Sequence, residues 1–270
     1  MKRIAAAFER RNRAGEIALI PYLTAGDPSP EMTPALVDSL VEAGADLIEL
    51  GVPHSDPLAD GPTNQRAAAR ALAHGVTLKS VLQMVRQIRS HSEVPLLLFS
   101  YYNPILQYGL KKFSEEAAAA GVDGAIVTDL PPEEADELRE SFDEQGLALV
   151  PLLAPTSGEA RTRKILSLAR GFVYYVSRTG VTGARSNLTA DLRAEVEALT
   201  RLSTTPVAVG FGISSPEHVR ALSGAAHGVV VGSALVEHVA SSRPAEAVQA
   251  AGAFLRHLAT GRRPGPEGRR

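Results

Sequence analysis

Eight short runs rich in Val, Ile and Leu recur along the chain, each followed by a stretch of helical period. They lie at 18–23, 47–50, 95–99, 124–127, 148–153, 172–176, 207–209 and 228–231. Near-continuous hydrophobicity over so few residues suits parallel strands covered on both faces. The spacing predicts helices over 31–43, 78–89, 113–120, 132–144, 159–169, 191–199 and 216–222, and a closing helix over 244–258. Ser29-Pro30, Thr77, Ser114, Asp191 and Ser215-Pro216 stand where helices should start, and Gly44, Gly121, Gly146 and Gly171 where they should stop. Before the first strand, residues 1–10 are broken by Glu9 and Arg10 too soon for a signal peptide and read as an amphipathic helix.

Eight strands alternating with helices over 270 residues favour an α/β fold, a (β/α)₈ TIM barrel with an N-terminal helix and extra short helices. A doubly wound open sheet is the alternative, but no G-x-G-x-x-G follows the first strand. A hydrophobic content of 44% supports one large core. The expected organisation is a single barrel domain over 1–258 with a disordered tail over 259–270, where Gly, Pro and charge dominate.

The barrel fixes where chemistry should be sought, because its active sites form at the C-terminal ends of the strands. The longest interval between strand starts, 48 residues from Leu47 to Pro95, follows the second strand. A carboxylate, Glu49, sits inside that strand's apolar run, where burial is costly unless the group is paired or used. Eleven residues on, Asp60 lies in Ser55-Asp56-Pro57-Leu58-Ala59-Asp60-Gly61-Pro62, too broken for helix or strand. One fixed, dry carboxylate and one on a movable, wet loop suggest divided acid/base work. The interval after the sixth strand is also long and holds Ser177-Arg178-Thr179-Gly180-Val181-Thr182-Gly183. These two loops are the natural lids.

Gly210-Phe211-Gly212-Ile213-Ser214-Ser215 follows the seventh strand and Gly232-Ser233-Ala234 the eighth. Glycine turns at these adjacent strands, with a helix starting at Ser233, form the arrangement that binds phosphate in barrels. Neither turn carries lysine, so recognition of one phosphate by backbone dipoles is expected. Gly183 is a further candidate N–H donor.

Other classes find no support. The net charge is −2 with no basic stripe, which argues against nucleic acid. With no cysteine there are no disulfides or thiolate–metal sites, which fits a cytosolic enzyme. The histidines, His54 among them, form no metal-ligand spacing. No apolar run approaches the roughly 20 residues that span a bilayer. Tyr101-Tyr102-Asn103-Pro104 after the third strand reads as rim packing or a protein interface.

Taken in order, these motifs resemble the α subunit of tryptophan synthase. The matching segments include Pro21-Tyr22-Leu23-Thr24-Ala25-Gly26-Asp27-Pro28, Glu49-Leu50-Gly51-Val52-Pro53 through Pro62, Asp129-Leu130-Pro131-Pro132, Leu153-Ala154-Pro155-Thr156 and the three glycine loops. Only the region beyond about Leu258 lies outside them. The resemblance implies retro-aldol cleavage of indole-3-glycerol phosphate to indole and glyceraldehyde 3-phosphate, without metal or organic cofactor. It implies that Glu49 is the general acid/base and that Asp60 stabilises the indole N–H. Thr182 would engage Asp60 on closure, and Tyr174 would lie near Glu49. Gly183, Phe211, Gly212, Gly232 and Ser233 would take the phosphate, and Tyr22, Phe99, Ile126 and Leu152 would surround the indole. The implied partner is a pyridoxal-phosphate-dependent β subunit in a cytoplasmic αββα heterotetramer, docking near Pro53, Asp56 and Asn103. Tyr22 and His54 stand where the family often has phenylalanine, and Asn64 where an aliphatic residue is common. A stand-alone indole-releasing lyase, a non-catalytic regulatory subunit and a sugar-phosphate barrel remain alternative readings.

Overall fold

In the computed structural model, which describes residues 1–177, 187–210 and 212–263, the strands form one parallel sheet. Helix α1 (Lys2–Arg13) leads into β1 (Ala18–Thr24), α2 (Met32–Glu42) and β2 (Ile48–Gly51). The long second connection holds α3 (Pro62–Ala73) and α4 (Leu78–Arg89), then β3 (Leu96–Ser100). Next come α5 (Tyr102–Tyr108), α6 (Leu110–Ala120), β4 (Gly124–Val127), α7 (Asp136–Gln145), β5 (Ala148–Leu149) and β6 (Leu152–Leu153). The chain continues through α8 (Glu159–Leu168), β7 (Val173–Val176), α9 (Asn187–Leu202), β8 (Val207–Gly210), α10 (Pro216–Leu222) and β9 (Gly228–Val231). After α11 (Ser233–Ser241), a 3₁₀ turn at Pro244–Glu246 opens α12 (Ala247–Ala259).

The strand order is β5-β4-β3-β2-β1-β9-β8-β7-β6. Its two ends, β5 and β6, are separated in the chain by Val150 and Pro151 alone. Together they occupy the fifth rung of an eight-rung barrel. The single strand expected over 148–153 is therefore broken in two. Pro151 has no N–H to give to a ladder. Val150 N–H still bonds Ala125 O at 2.9 Å, and Pro151 O accepts from Tyr174 N–H at 3.0 Å. The fifth rung thus bridges β4 and β7 with a kink at the proline.

Strand parity sorts the core into two layers. Leu19, Ile48, Leu50, Leu96 and Leu98 pack outward against the helices. Ile20, Leu47, Leu97, Ile126 and Phe172 point inward and meet Ile4, Ala7 and Phe8 of α1. That helix plugs the N-terminal end of the barrel, with the Phe8 and Phe172 rings 5.5 Å apart.

Several helix boundaries differ from the sequence expectation. Ser114 is no N-cap, because α6 starts at Leu110 and the Ser114 hydroxyl donates to Leu110 O within the helix. Asp191 lies inside α9, and Glu31 rather than Ser29 precedes α2. Residues 132–134 form a turn, so α7 starts only at Asp136. The Tyr102-Asn103-Pro104 segment is helix rather than loop. Among the described residues no helix is long and apolar enough to cross a membrane.

The N-terminal face is tied by buried carboxylates. Asp46, just before β2, is fully buried and accepts from Arg10 at 2.9 Å, Arg11 at 2.6 Å and Leu19 N–H at 3.0 Å. Asp123, just before β4, takes Arg3, Arg89 and Leu96 N–H. Arg262 also reaches Asp46, at 3.2 Å, and is itself buried. Its carbonyl accepts from Ser223 at 2.6 Å and from Ile17 N–H at 3.2 Å. Composition marks a tail from 259, but the chain stays anchored at least to Arg262. Opposite charges that meet over a long sequence separation leave no trace in composition.

Removing one partner of a buried ion network leaves the others unpaired. Asp46→Ala should lower unfolding stability by about 3–5 kcal/mol in urea titrations. Ending the chain at Leu258, which removes Arg262, should shift the midpoint the same way. Unchanged midpoints in both would contradict this account.

Candidate active site

Between Ile48 and Leu50, which face the helices, parity turns Glu49 into the barrel. Its carboxyl is fully buried, and among the described residues neither oxygen has a hydrogen-bond partner. Burial alone pushes its pKa well above 4.5. The group is thus held as a neutral acid in a range where an ordinary glutamate is ionised. Tyr22 is its register neighbour on β1. Burial, followed by the carboxyl groups nearby, also raises the phenols of Tyr22 and Tyr174, so both stay protonated. Two glycines seat these rings. A Cβ on Gly51 would overlap the Tyr22 hydroxyl, and one on Gly210 would lie 2.6 Å from the Tyr174 ring.

Asp60 occupies the turn just before α3, expected to be a movable loop. The structure shows it tethered. Tyr101 donates its hydroxyl to the Asp60 carboxylate at 2.9 Å and accepts Ala59 N–H at 2.9 Å. Gln65 donates to Asp60 O at 2.9 Å. Burial raises the Asp60 pKa, against the opposing pull of hydrogen bonds from Tyr101 and Asn64 and of His54. The His54 ring packs on Tyr101 at 5.0 Å. Helix α3 is pinned further along by Arg70, which forms a bidentate pair with buried Asp27 at 2.6 and 2.9 Å.

Tyr101 is thus a site residue that sequence reasoning left as rim packing or a protein interface. Its position at the end of β3, beside the strand whose loop carries Asp60, was the available signal.

A cavity of about 320 Å³ opens at the C-terminal face of the barrel. Glu49, Tyr22, Phe99 and Tyr174 line one part, with Tyr22 and Phe99 edge to face at 5.4 Å. Gly212, Gly232 and Ser233 line the other, where the N-terminus of α11 opens on the cavity. No lysine or arginine lines it among the described residues, so an anion there would meet backbone dipoles. A cavity with an apolar part, one neutral acid and an anion-binding end can hold an aromatic phosphate ester.

Not every expected residue lines this wall. Asp60 stands just behind it, against Tyr101, and Asn64 takes a place on it. Ile126 lies deeper, in the inner core against which Phe99 packs. Leu152 packs on that core and borders a separate cavity of about 650 Å³, also lined by residues of α7 and α8. Leu152 directly follows the kink at Pro151. Thr182, Gly183 and Phe211 lie outside the described residues. Among those described, no group of three His, Asp or Glu side chains is placed to hold a metal.

Comparison with known proteins identifies the family. The family model for the tryptophan synthase alpha chain matches residues 8–261. A tryptophan synthase alpha chain of Geobacter sulfurreducens is 52% identical over 237 residues, 88% of this chain and 90% of its own length. One from Solibacter usitatus is 51% identical over 249 residues, 92% of this chain and 93% of its own. Among solved structures, the tryptophan synthase subunit alpha of Legionella pneumophila superposes with a TM-score of 0.89 at 41% identity, covering 96% of this chain and 97% of that one. A chain from the tryptophan synthase α₂β₂ complex of Pyrococcus furiosus gives 0.84 at 42% identity, over 90% of this chain and 97% of its own. With its barrel, its buried strand glutamate and a family match along nearly its whole length, the chain belongs to the tryptophan synthase alpha chain family.

Proposed function

We propose that this chain cleaves indole-3-glycerol phosphate to indole and glyceraldehyde 3-phosphate, as a lyase that passes indole to a β subunit for tryptophan synthesis. The observation that carries the reading is the neutral, unpartnered Glu49 carboxyl in a cavity whose far end is a helix N-terminus. The phosphate lies against Gly212, Gly232 and Ser233, and the indole between Tyr22, Phe99 and Tyr174. Phe211, Gly183, Ile126 and Leu152 complete the two ends in this reading, by resemblance.

Glu49 gives its proton to indole C3. Positive charge then develops on the ring nitrogen, where the Asp60 carboxylate stabilises the N–H. The bond between C3 and the hydroxyl-bearing carbon breaks, and its electron pair returns to the ring. Glu49, now ionised in an apolar setting, takes the hydroxyl proton as the aldehyde forms. Each proton that Glu49 loses is thereby restored. Thr182 engages Asp60 on loop closure, which removes water from the site.

The reaction needs no metal or organic cofactor on this chain, and pyridoxal phosphate belongs to the β subunit. The β subunit docks at the C-terminal rim in an αββα assembly. Asp56 and Asn103 are exposed there, as are apolar Leu58 and Leu106, whereas Pro53 is buried. We infer a cytoplasmic setting from this biosynthetic role.

Glu49→Gln removes the proton donor but relieves a buried carboxyl that resists ionisation. An acid whose folded pKa is raised costs stability once the pH exceeds its unfolded value. The variant should lose at least about 100-fold in cleavage while melting no lower than the unchanged chain at neutral pH. Near-normal indole release would sink the assignment.

Tyr101→Phe removes a hydrogen bond that lowers the Asp60 pKa. Turnover should fall about tenfold, and the acid limb of the kcat/KM profile should move to higher pH. A profile unmoved on the acid side would show that Tyr101 does not hold the working form of Asp60.

A further inference from the structure

The first turns of α3 and α11 both line the cavity. Gly61, Pro62 and Thr63 belong to one, Gly232 and Ser233 to the other. Two layers of contact join the helices. Inside, Ala67 of α3 and Val236 of α11 are buried in one cluster with Tyr22, and Phe99 packs on it. Both of these rings also line the cavity. Outside, a single oxygen of Glu237 on α11, Oε2, accepts from the Thr63 hydroxyl at 3.2 Å and from Arg66 at 3.0 Å. Arg66 donates in turn to the Thr63 hydroxyl oxygen at 3.2 Å. The three side chains form a closed triangle.

Arg66 and Glu237 are both more than half exposed, and exposed ion pairs add little to stability. The triangle is therefore not what holds the fold. It joins the two ligand-binding parts of the site. Glu237 stands four residues after Ser233, on the same face of α11. Thr63 stands three residues after Asp60, whose carbonyl accepts from Gln65 of the same turn at 2.9 Å. An anion bound at the N-terminus of α11 orders that end of the helix. With α3 tied to α11, the turn that carries Asp60 loses freedom at the same time. A ring that then binds beside Asp60 meets a turn already ordered, at a smaller entropic cost, and linkage makes the effect reciprocal. Without the Glu237 carboxylate, Thr63 and Arg66 bind only each other, and the apolar cluster alone joins the two helices.

We propose that Glu237 is a positioning residue: through Thr63 and Arg66 it couples phosphate binding at α11 to indole binding beside Asp60, so that each favours the other. This rests on the function proposed above.

Two fragments of the proposed substrate serve as probes. One is indole. The other is glycerol 3-phosphate, which has no aldehyde and so cannot react with indole. Indole is titrated into the full chain by NMR, with and without saturating glycerol 3-phosphate. The β subunit is left out, because it takes indole itself. In the unchanged chain the phosphate should tighten indole binding about fivefold or more. Glu237→Ala and Arg66→Glu should each reduce that effect to less than about twofold. Exchanging the charges in one chain, Arg66→Glu with Glu237→Arg, should restore most of it. An effect of the same size in both single variants overturns the proposal, as does a loss that the exchange fails to restore. If the unchanged chain cleaves indole-3-glycerol phosphate but binds the two probes independently, this inference alone falls. If it does not cleave indole-3-glycerol phosphate, the proposed function falls and takes this inference with it.

Discussion

A carboxyl group enclosed in the barrel, with no partner for either oxygen among the described residues, is the constraint around which the rest is arranged. Leaving such a group unpaired costs several kcal/mol unless it stays neutral. It does stay neutral, because desolvation acts on it unopposed. The cost is tolerated because carboxylates at the opposite end are satisfied. Asp46 and Asp123 each collect arginines and a strand N–H, tying α1 and the C-terminal segment to the barrel floor. Stability is thus concentrated below the strands and reactivity above them, as the polarity of the fold dictates.

Asp60 shows the contrasting treatment of the same functional group. Burial pushes its pKa up as well, but Tyr101, Asn64 and His54 pull against that. The outcome is one carboxyl raised by burial unopposed and another raised against three opposing groups, the second standing just behind the wall that the first lines. That separation comes from surroundings alone. Helix α3 conveys the position of Asp60 to the rest of the molecule: Arg70 ties it to Asp27, and Thr63 and Arg66 tie it to Glu237 on α11. The helix that opens the phosphate end is therefore braced against the helix that follows Asp60.

What could be read from sequence follows periodicity and what could not follows pairing. Strands 124–127 and 228–231 and helices 78–89 and 216–222 stand where the apolar pattern places them, because buried faces impose their period. Glu49 was visible for the same reason, as a charge out of place in an apolar run. The break at Pro151 was legible in principle, but hydrophobicity ran straight across it. Tyr101 was marked only by its place after β3, since its partner lies 41 positions away on another loop. Arg262 was not legible, since its anchor, Asp46, lies far back in the chain just before β2. Ser114 misled because a serine inside a helix can bond the preceding turn as readily as it caps one.

The most direct test of the central claim is the protonation state of Glu49 itself. Carbon-13 NMR of chain labelled at glutamate carboxyls, compared with the Glu49→Gln variant for assignment, follows each group with pH. One resonance, absent in the variant, should remain that of a protonated acid after the exposed glutamates have ionised. If Glu49 titrates together with the exposed glutamates, the barrel does not hold it as an acid, and the account of the site is wrong.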